Sequence, residues 1–213
     1  MKTLQRILLT LIVLLNLGAG GDPTRLAMPP ISPKFNPPAN ALFTEPFRDR
    51  SLEGWTPDRE GVWTVVRGVL RADLPDRKQE HSFIHAGDST WTDYAVDLDV
   101  CGMRGVDKGV VVRASSSKGL AVDLRGPGYS DLILHVNQMP QGRVAATNGN
   151  GQWYHLRVEV RGTECAAFVN RTEVIRKRMK GTLPPKGRIA LPAYTGGVGQ
   201  CTVYYDNIVV TRL

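Results

Sequence analysis

Three consecutive apolar stretches of the chain carry polar side chains at alternate positions. Arg113 closes the first stretch, Asp123 and Arg125 lie in the second, and His135 and Asn137 lie in the third. Arginine and aspartate form directional hydrogen bonds with hydroxyl groups, and histidine is an acceptor or a general base near neutral pH. If the three stretches are neighbouring strands, these side chains meet in one polar patch that binds a hydroxyl-rich ligand. The alternative is a set of cross-strand ion pairs on an exposed face.

Four tryptophans are the other candidates for ligand contact, because an indole ring stacks on flat apolar surfaces, including the apolar face of a sugar ring. Trp55, Trp63 and Trp153 lie in strand-like segments and are expected to pack in the core. Trp91 lies between two threonines in a loop-like segment, which makes it the better binding platform. Burial of Trp91 in the core is the alternative.

The elements that position these residues are strands, because the apolar periodicity of the chain beyond residue 40 is two almost everywhere. Between residues 94 and 100, apolar residues at even positions alternate with Ala95, Asp97 and Asp99, so one face is buried and the other is wet. No eleven-residue window keeps a helical stripe. The sequence predicts an all-β fold of two packed antiparallel sheets, with strands at 63–71, 94–101, 109–114, 120–125, 132–138, 153–160, 165–170, 187–191 and 201–211.

The first 40 residues differ in composition from the rest. Lys2 and Arg6 precede an apolar run at 7–15, and Gly-Ala-Gly follows at 18–20, which is the pattern of a signal peptide. Six prolines crowd residues 22–40 and predict an extended linker. The expected organisation is a signal peptide at 1–20, a Pro-rich linker at 21–40 and one domain at 41–213. The mature chain is expected to be secreted or periplasmic, without a transmembrane segment; a retained N-terminal anchor is the alternative.

Composition bounds the function classes. With 213 residues, of which 42% are hydrophobic and 22% charged, the chain is globular and can build a core without disulfides or metal. Its formal net charge is +7. Basic residues gather locally only between 171 and 188, where they form either a solvated face or a contact for an anionic polysaccharide. None of the usual nucleic-acid reader motifs is present, so no nucleic-acid partner is expected.

Three cysteines, Cys101, Cys165 and Cys201, occur in a chain expected to be exported, where disulfides can form. Their odd number leaves a thiol over, and Cys101 with Cys201 is the favoured pair, although pairing depends on which strands are neighbours. Zinc is not expected, because no CxxC spacing or close histidine accompanies them. Asn170-Arg171-Thr172 matches the N-glycosylation acceptor pattern on an expected hairpin tip.

Several short strings follow one another along the chain: Phe47-Arg48-Asp49, Gly61-Val62-Trp63, Trp91-Thr92-Asp93-Tyr94, Gln152-Trp153-Tyr154 and Tyr205-Asp206-Asn207. In this order and spacing the chain resembles the concanavalin A-like lectin and glucanase jelly rolls. The resemblance is greatest to the laminin-G-like branch and to secreted 3-keto-disaccharide hydrolase-like domains. It covers about residues 43–213 and implies a curved two-sheet sandwich whose concave face or rim loops hold a saccharide.

The resemblance also implies chemistry. The glucanase branch places two glutamates around an aspartate on one strand, whereas this chain has only Asp97-Leu98-Asp99, which are ordinary solvated aspartates in the alternative interpretation. Glycoside hydrolysis needs two carboxylates roughly 5–9.5 Å apart, which alternate strand residues can provide. For a 3-keto-glycoside, the implied step is proton abstraction beside the ketone, with His135 or Asp123 as the base and Arg113 stabilising negative charge. No catalytic set of the family maps onto this chain.

The resemblance also makes calcium the candidate cofactor, because jelly rolls often fix their chain ends with this cation. Asp49 and Asp206 are the candidate ligands, and bonding of backbone amides is the alternative for both. Three functions stay open: a carbohydrate-binding module acting on a glycan or cell-envelope polysaccharide, a glycoside-cleaving hydrolase of the 3-keto-disaccharide type, and an interaction scaffold without a sugar ligand. The carbohydrate-binding module is the favoured interpretation.

Overall fold

The computed structural model describes residues 36–115, 118–126, 128–181 and 183–213, and the expected signal peptide lies outside these ranges. Fifteen strands and one short 3-10 helix, Gly196–Val198, occur among the described residues. The strands are β1 (Ala41–Glu45), β2 (Trp55–Pro57), β3 (Trp63–Val66), β4 (Val69–Leu74), β5 (His81–Ala86), β6 (Tyr94–Arg104), β7 (Asp107–Ser115), β8 (Lys118–Arg125), β9 (Asp131–Val136), β10 (Met139–Ala145), β11 (Tyr154–Arg161), β12 (Glu164–Val169), β13 (Thr172–Arg178), β14 (Arg188–Tyr194) and β15 (Cys201–Arg212).

The strands form two antiparallel sheets. The first sheet has the order β13-β12-β11-β6-β15-β4-β3, and β1 also pairs with β15. The second sheet has the order β10-β9-β8-β7-β14-β5-β2. The predicted all-β, two-sheet jelly-roll sandwich is therefore confirmed, and β7, β8 and β9 are neighbours as the polar patch requires.

Strand alternation decides which side chains enter the core. Leu98 on β6 pairs with Leu156 on β11, and both are fully buried, whereas the next pair, Asp97 with Arg157, points away from the core. Each large apolar side chain buried in this way contributes roughly 1.5–3 kcal/mol. A slip of one residue would exchange the two faces, so the apolar pattern fixes the register.

Tyr205 ties the two sheets together across the core. It lies on β15 of the first sheet and is fully buried. Its hydroxyl donates a hydrogen bond of 2.6 Å to the carbonyl of Pro192 on β14 and accepts one of 3.2 Å from the amide of Gly109 on β7. Both backbone groups belong to the second sheet, directly beneath its outer face.

Two predicted strands end earlier than the sequence pattern indicates. The segment 63–71 is a hairpin of β3 and β4, because Arg67 and Gly68 adopt positive φ of 54° and 78°. The segment 132–138 ends at Val136, because Asn137 and Gln138 adopt φ of 50° and 69° and lead into β10. Two consecutive left-handed residues form the tight turn whose twist matches that of a hairpin. Five strands, β1, β2, β5, β10 and β13, were not among the predicted strands.

The favoured cysteine pairing is wrong in this structure, since Cys101, Cys165 and Cys201 are all free and buried. Cys101 packs with Val69 and Tyr204, whereas Cys201 belongs to the core between the sheets. Burial raises the pKa of the Cys101 thiol to about 11, so this thiol stays protonated and unreactive at neutral pH. Within the described ranges, no helix has the length and apolar character needed to cross a membrane.

Candidate functional site

The outer face of the second sheet contains a cavity of about 480 Å³. Its lining residues come from β5, β14, β7, β8 and β9, with the turn after β9 at one edge. We call this cavity the histidine groove, because His81, His85 and His135 line it. It is therefore built across five neighbouring strands of one sheet face.

The floor of the groove is a row of small apolar residues between two histidines. Strand pairing places His85 beside Ala190, Ala190 beside Val111, Val111 beside Ala121, and Ala121 beside His135. Four strand spacings separate the two histidines, a backbone distance of roughly 19 Å. Because Ala190, Val111 and Ala121 are apolar and have short side chains, the surface between the histidines can meet the apolar face of a sugar ring.

A second row crosses the same face and carries charge. His81 pairs with Tyr194, Tyr194 with Asp107, Asp107 with Arg125, and Arg125 with Asp131. The rings of His81 and Tyr194 stack with centroids 4.0 Å apart. Burial lowers the pKa of His81, so this ring is neutral at pH 7. The stacked pair forms an aromatic flank of the groove.

Between these rows lies Asp123, which strand pairing places beside Gly109. Glycine has no side chain, so nothing from position 109 covers the carboxyl group. A Cβ atom at this position would lie 2.0 Å from the carbonyl oxygen of Val122, so the backbone packing requires glycine here. The exposed fraction of the Asp123 side chain is 9%.

The pKa values of two carboxyl groups in the groove are raised, which favours their protonated forms. Burial, together with the nearby Asp107 charge, holds the pKa of Asp123 well above its ordinary value. Burial also raises the pKa of Asp107 to about 6, although the Arg125 charge opposes this shift. Oδ1 of Asp107 is buried and has no hydrogen-bond partner among the described residues. Both carboxyl groups of the groove are therefore biased towards their protonated forms, and their titrations are coupled.

His135 stands beside this pair. Its Nε2 lies 4.0 Å from Oδ2 of Asp123, and burial lowers the pKa of the ring, which leaves it neutral at pH 7. Asn137 closes the edge of the groove, where its Oδ1 accepts a 3.1 Å hydrogen bond from the amide of Gly119. The structure thus brings Asp123, His135 and Asn137 together, as the alternation predicts.

Arg125 lies next to the groove and not among its lining residues. Its Nε and Nη2 each donate a 2.7 Å hydrogen bond to Asp131, and the guanidinium lies 4.2 Å from the ring centroid of Tyr129. These contacts engage the fork of the arginine. Arg125 contributes a positive charge that acts on Asp107 and Asp123 from the side.

Arg113 does not join the predicted patch. The register of β7 shifts after Val112, and Arg113 has a φ of 49°, so the alternation breaks at this residue. Its guanidinium, with a side chain only 3% exposed, donates to the carbonyl oxygens of Thr92 and Gly162 and pairs with Asp93 at 2.8 Å. Arg113 therefore connects loops of the sandwich, and the prediction that it lies in the polar patch is wrong.

Trp91 lines neither the histidine groove nor the other cavity described below. Its ring packs 6.3 Å from Phe43 and 5.7 Å from Tyr94 and lies half-buried against the main core. A Cβ atom at Gly87 would lie 2.3 Å from the indole, so the ring covers this glycine closely. These contacts correspond to the core alternative.

The two expected calcium ligands each bond a backbone amide. Asp49 accepts from Ser51 at 3.0 Å and Asp206 accepts from Asn207 at 2.8 Å. Burial, with the Asp99 charge, raises the pKa of Asp206 to about 6. Among the described residues, no group of three or more His, Cys, Asp or Glu side chains could hold a metal ion. The contacts of Asp49 and Asp206 are those of the backbone-amide alternative.

The outer face of the first sheet carries a different polar cluster. His155 contacts Asp99 through Nδ1 at 3.0 Å and Asp97 through Nε2 at 3.2 Å. Arg157 donates a 2.5 Å hydrogen bond to Asp97 and also pairs with Glu159. The hydrogen bonds to Asp97 and Asp99 raise the pKa of His155 to about 9. Asp97 and Asp99, in the segment compared above with the glucanase strand, therefore belong to a network of ion pairs. We call the outer face of the first sheet that carries this network the cluster face.

Sequence reasoning missed four residues of the groove: His81, His85, Asp107 and Tyr194. The signal was present in β5, where His81, Phe83 and His85 stand at alternate positions. Position 83 is apolar as well, so both faces of this strand look apolar and the period of two is obscured. Asp107 and Tyr194 lie outside the predicted strand bounds because Gly105 and Gly196–Gly197 resemble turns.

The comparisons with known proteins agree with this architecture. The model of the 3-keto-α-glucoside-1,2-lyase-like domain matches residues 42–211. A search of curated protein sequences finds no match. Among solved structures, a carbohydrate-binding module, CBM66, from Bacillus subtilis superposes with a TM-score of 0.60 at 17% identity, covering 74% of this chain and 95% of that one.

Two further structures show the same fold. The Bacillus licheniformis β-glucanase has a TM-score of 0.63 at 10% identity, covering 83% of this chain and 100% of that one. A Bacillus subtilis protein with a galectin-like fold has a TM-score of 0.65 at 12% identity, covering 84% of this chain and 98% of that one. At these identities the likeness shows the fold, whereas the family match spans nearly the whole described domain. The chain belongs to the 3-keto-α-glucoside-1,2-lyase-like domain family.

Proposed function

We propose that the histidine groove binds a saccharide. The observation that carries this proposal is the floor row, in which small apolar residues lie between His85 and His135 while Asp107 and Asp123 present polar atoms beside them. Saccharide sites combine an apolar platform with a few directional hydrogen-bonding groups in this way. The cavity volume of about 480 Å³ suits a small number of sugar rings.

The solved structures named above support a glycan ligand by analogy, since one is a carbohydrate-binding module and another a β-glucanase. An extracellular or periplasmic location belongs to the same proposal and follows from the signal-peptide pattern of residues 1–20. In that location the ligand is a free glycan or a polysaccharide of a cell envelope.

The test fills the groove floor. Ala121→Leu places a larger side chain at the centre of the row, and Ala145→Leu on the exposed edge strand β10 is the matched control. After a glycan array has identified a ligand, titration calorimetry is expected to show binding that weakens at least about tenfold in Ala121→Leu and stays unchanged in Ala145→Leu. Failure of the array to detect any saccharide, or equal binding by Ala121→Leu, would overturn the proposal.

A second function is favoured by the carboxyl pair. We propose that the groove also cleaves 3-keto-glycosides by elimination, because two carboxyl groups with raised pKa values, Asp107 and Asp123, line it together with His135. A base removes the proton from C2 beside the C3 ketone, the electron pair forms the C1–C2 double bond, and the C1–oxygen bond breaks. The leaving oxygen takes a proton from an acid, so the step needs one base and one acid.

The groove offers both roles. Asp123 is the proton donor, and Asp107 or neutral His135 is the base, since His135 lies 4.0 Å from Asp123. Arg125 supplies a positive charge beside the pair, and Arg113 has no part in this assignment. This arrangement differs from the sequence prediction, in which His135 or Asp123 was the base and Arg113 stabilised the negative charge.

Release of nitrophenol from a nitrophenyl 3-keto-α-glucoside tests the second function. Asp123→Asn and His135→Ala are each expected to lower kcat/KM by at least about 100-fold, the usual contribution of a positioned acid or base. Lys118→Gln at the groove rim serves as the control, because it is exposed and removes no acid or base of the pair. An inactive wild type, or unchanged turnover by both variants, would exclude the elimination while leaving saccharide binding intact.

A further inference from the structure

The cluster face contains a second cavity, of about 580 Å³, which the proposed function does not use. Asp97, His155 and Arg157 line it from β6 and β11. Arg171, in the turn between β12 and β13, and Arg212, at the end of β15, also line it. Strands β11 and β6 lie between those two arginines in the sheet order. We call this cavity the arginine cleft.

The carboxylates of the cleft already have cationic partners. Asp97 is contacted by His155 on one oxygen and by Arg157 on the other, and Glu159 pairs with Arg157 at 2.9 Å. The raised pKa of His155, about 9, keeps this ring cationic at neutral pH. The floor therefore holds alternating compensated charges and does not repel an anion as isolated carboxylates would.

The two flanking arginines are different. Arg171 and Arg212 are exposed, and within the described residues neither guanidinium group forms a hydrogen bond or an ion pair. Four cationic side chains and two carboxylates line the cleft: His155, Arg157, Arg171, Arg212, Asp97 and Glu159. Cationic groups remain in excess even if a carboxylate on Leu213 is counted. A guanidinium presents a planar fork that matches carboxylate and sulfate oxygens in two parallel hydrogen bonds.

Apolar groups complete the lining. Phe168 on β12 and Pro38 before β1 both contribute to the cleft. Such surfaces contact the apolar face of a sugar ring while the arginines bind its charged group. Of the described basic residues between 171 and 188, Arg171 lines the cleft, whereas Arg176 is engaged by Glu164 and Glu173.

We propose that the arginine cleft is a second binding site, specific for saccharides that carry a carboxylate or sulfate group. It lies on the opposite outer face from the histidine groove and does not depend on the function proposed for that groove. In an acidic polysaccharide, the charged group lies between Arg171 and Arg212 and a sugar ring rests on Phe168.

The test compares charged and uncharged forms of one ligand. Titration calorimetry of the full chain uses trigalacturonate, its fully methyl-esterified form, and a sulfated galactan oligosaccharide. We expect trigalacturonate to bind with a Kd below about 1 mM and the ester to bind at least tenfold more weakly. The sulfated arm shows whether the site accepts sulfate as well as carboxylate. Raising the salt concentration weakens both interactions, since the arginines are exposed.

Variants assign the binding to the cleft. The double substitution Arg171→Gln with Arg212→Gln is expected to reduce trigalacturonate affinity at least about tenfold. Arg178→Gln is the matched control, because this exposed arginine also lies on the first sheet but outside the cleft. Equal binding of acid and ester, no binding of either anionic ligand up to about 5 mM, or full affinity in the double variant would overturn the proposal.

Discussion

The two outer faces of the sandwich start from the same alternation and handle charge in opposite ways. On the cluster face, Asp97 and Asp99 hold His155 between them, and their hydrogen bonds raise its pKa to about 9. In the histidine groove, Asp123 lies 4.0 Å from His135, beyond hydrogen-bond distance, and burial lowers the pKa of this histidine. Histidines of similar burial thus shift in opposite directions.

The difference depends on whether each buried carboxyl group has a cationic side chain opposite it in the strand register. Arg157 lies directly across from Asp97 in the strand register, so the cluster face stabilises ionised groups. Gly109 lies directly across from Asp123, so the opposite strand position supplies no cation, and desolvation outweighs the charge of Arg125 and favours the protonated carboxyl. A paired face contributes to stability, whereas an uncompensated face costs stability and retains groups that can exchange protons with a ligand.

The largest expected effect is loss of a compensated carboxylate. Asp97→Asn leaves Arg157 and His155 without their shared partner, and we expect the free energy of unfolding at pH 7 to fall by about 3 kcal/mol, as for other broken buried ion pairs. Urea denaturation measures this value. Asp76→Asn, at an exposed position, is the control and should change stability by less than about 0.5 kcal/mol. A loss of similar size in both variants would contradict the account of the cluster face.

An intermediate effect concerns pH. The folded-state pKa of His155 is about 9, above its ordinary value, so the stabilisation is fully present below about pH 6.5 and is lost as the pH rises through 9. We expect the wild type to lose on the order of 2 kcal/mol more than His155→Gln between these pH values, after allowance for solvent screening. Thermal unfolding across the pH series measures the difference. Parallel curves for the two proteins would show that His155 is not held cationic.

The smallest effect has the opposite sign. Asp123→Asn removes a carboxyl group whose folded pKa is raised, so it removes a cost that is absent below the ordinary aspartate pKa and grows as the pH rises from there to the folded pKa. We expect the variant to be more stable than the wild type by about 1 kcal/mol at pH 8, while saccharide binding or turnover decreases. Equilibrium denaturation at pH 5 and pH 8 measures the sign of the difference in unfolding free energy between variant and wild type and its change with pH. A variant less stable than the wild type at pH 8 would contradict the uncompensated burial of Asp123.

Much of this fold follows from the sequence, because the period of two in segments such as 94–100 fixes both faces of a strand. The meander of β7, β8 and β9 also follows, and it places Asp123 and His135 side by side. These inferences succeed because they need only alternation and neighbouring order.

The rest depends on features that alternation does not contain. Arg113 has a positive φ at a register shift, and a single bulged residue sends its side chain into the loops. Asp107 enters the groove through pairing with Tyr194, a contact between distant strands that only the sheet order creates. Asp97 has a cationic partner because Arg157 lies opposite it on the neighbouring strand, whereas Gly109 lies opposite Asp123. This strand register is a property of the tertiary structure.

The protonation of Asp123 is the most direct test of the central claim. Carbon-13 NMR of the aspartate carboxyl groups, assigned by comparison with Asp123→Asn, follows this titration in the wild type. The account predicts that the Asp123 signal stays protonated far above the ordinary pKa of an aspartate and responds to a saccharide bound in the groove. An Asp123 signal that titrates at the ordinary pKa, or one that ignores such a ligand, would contradict the account.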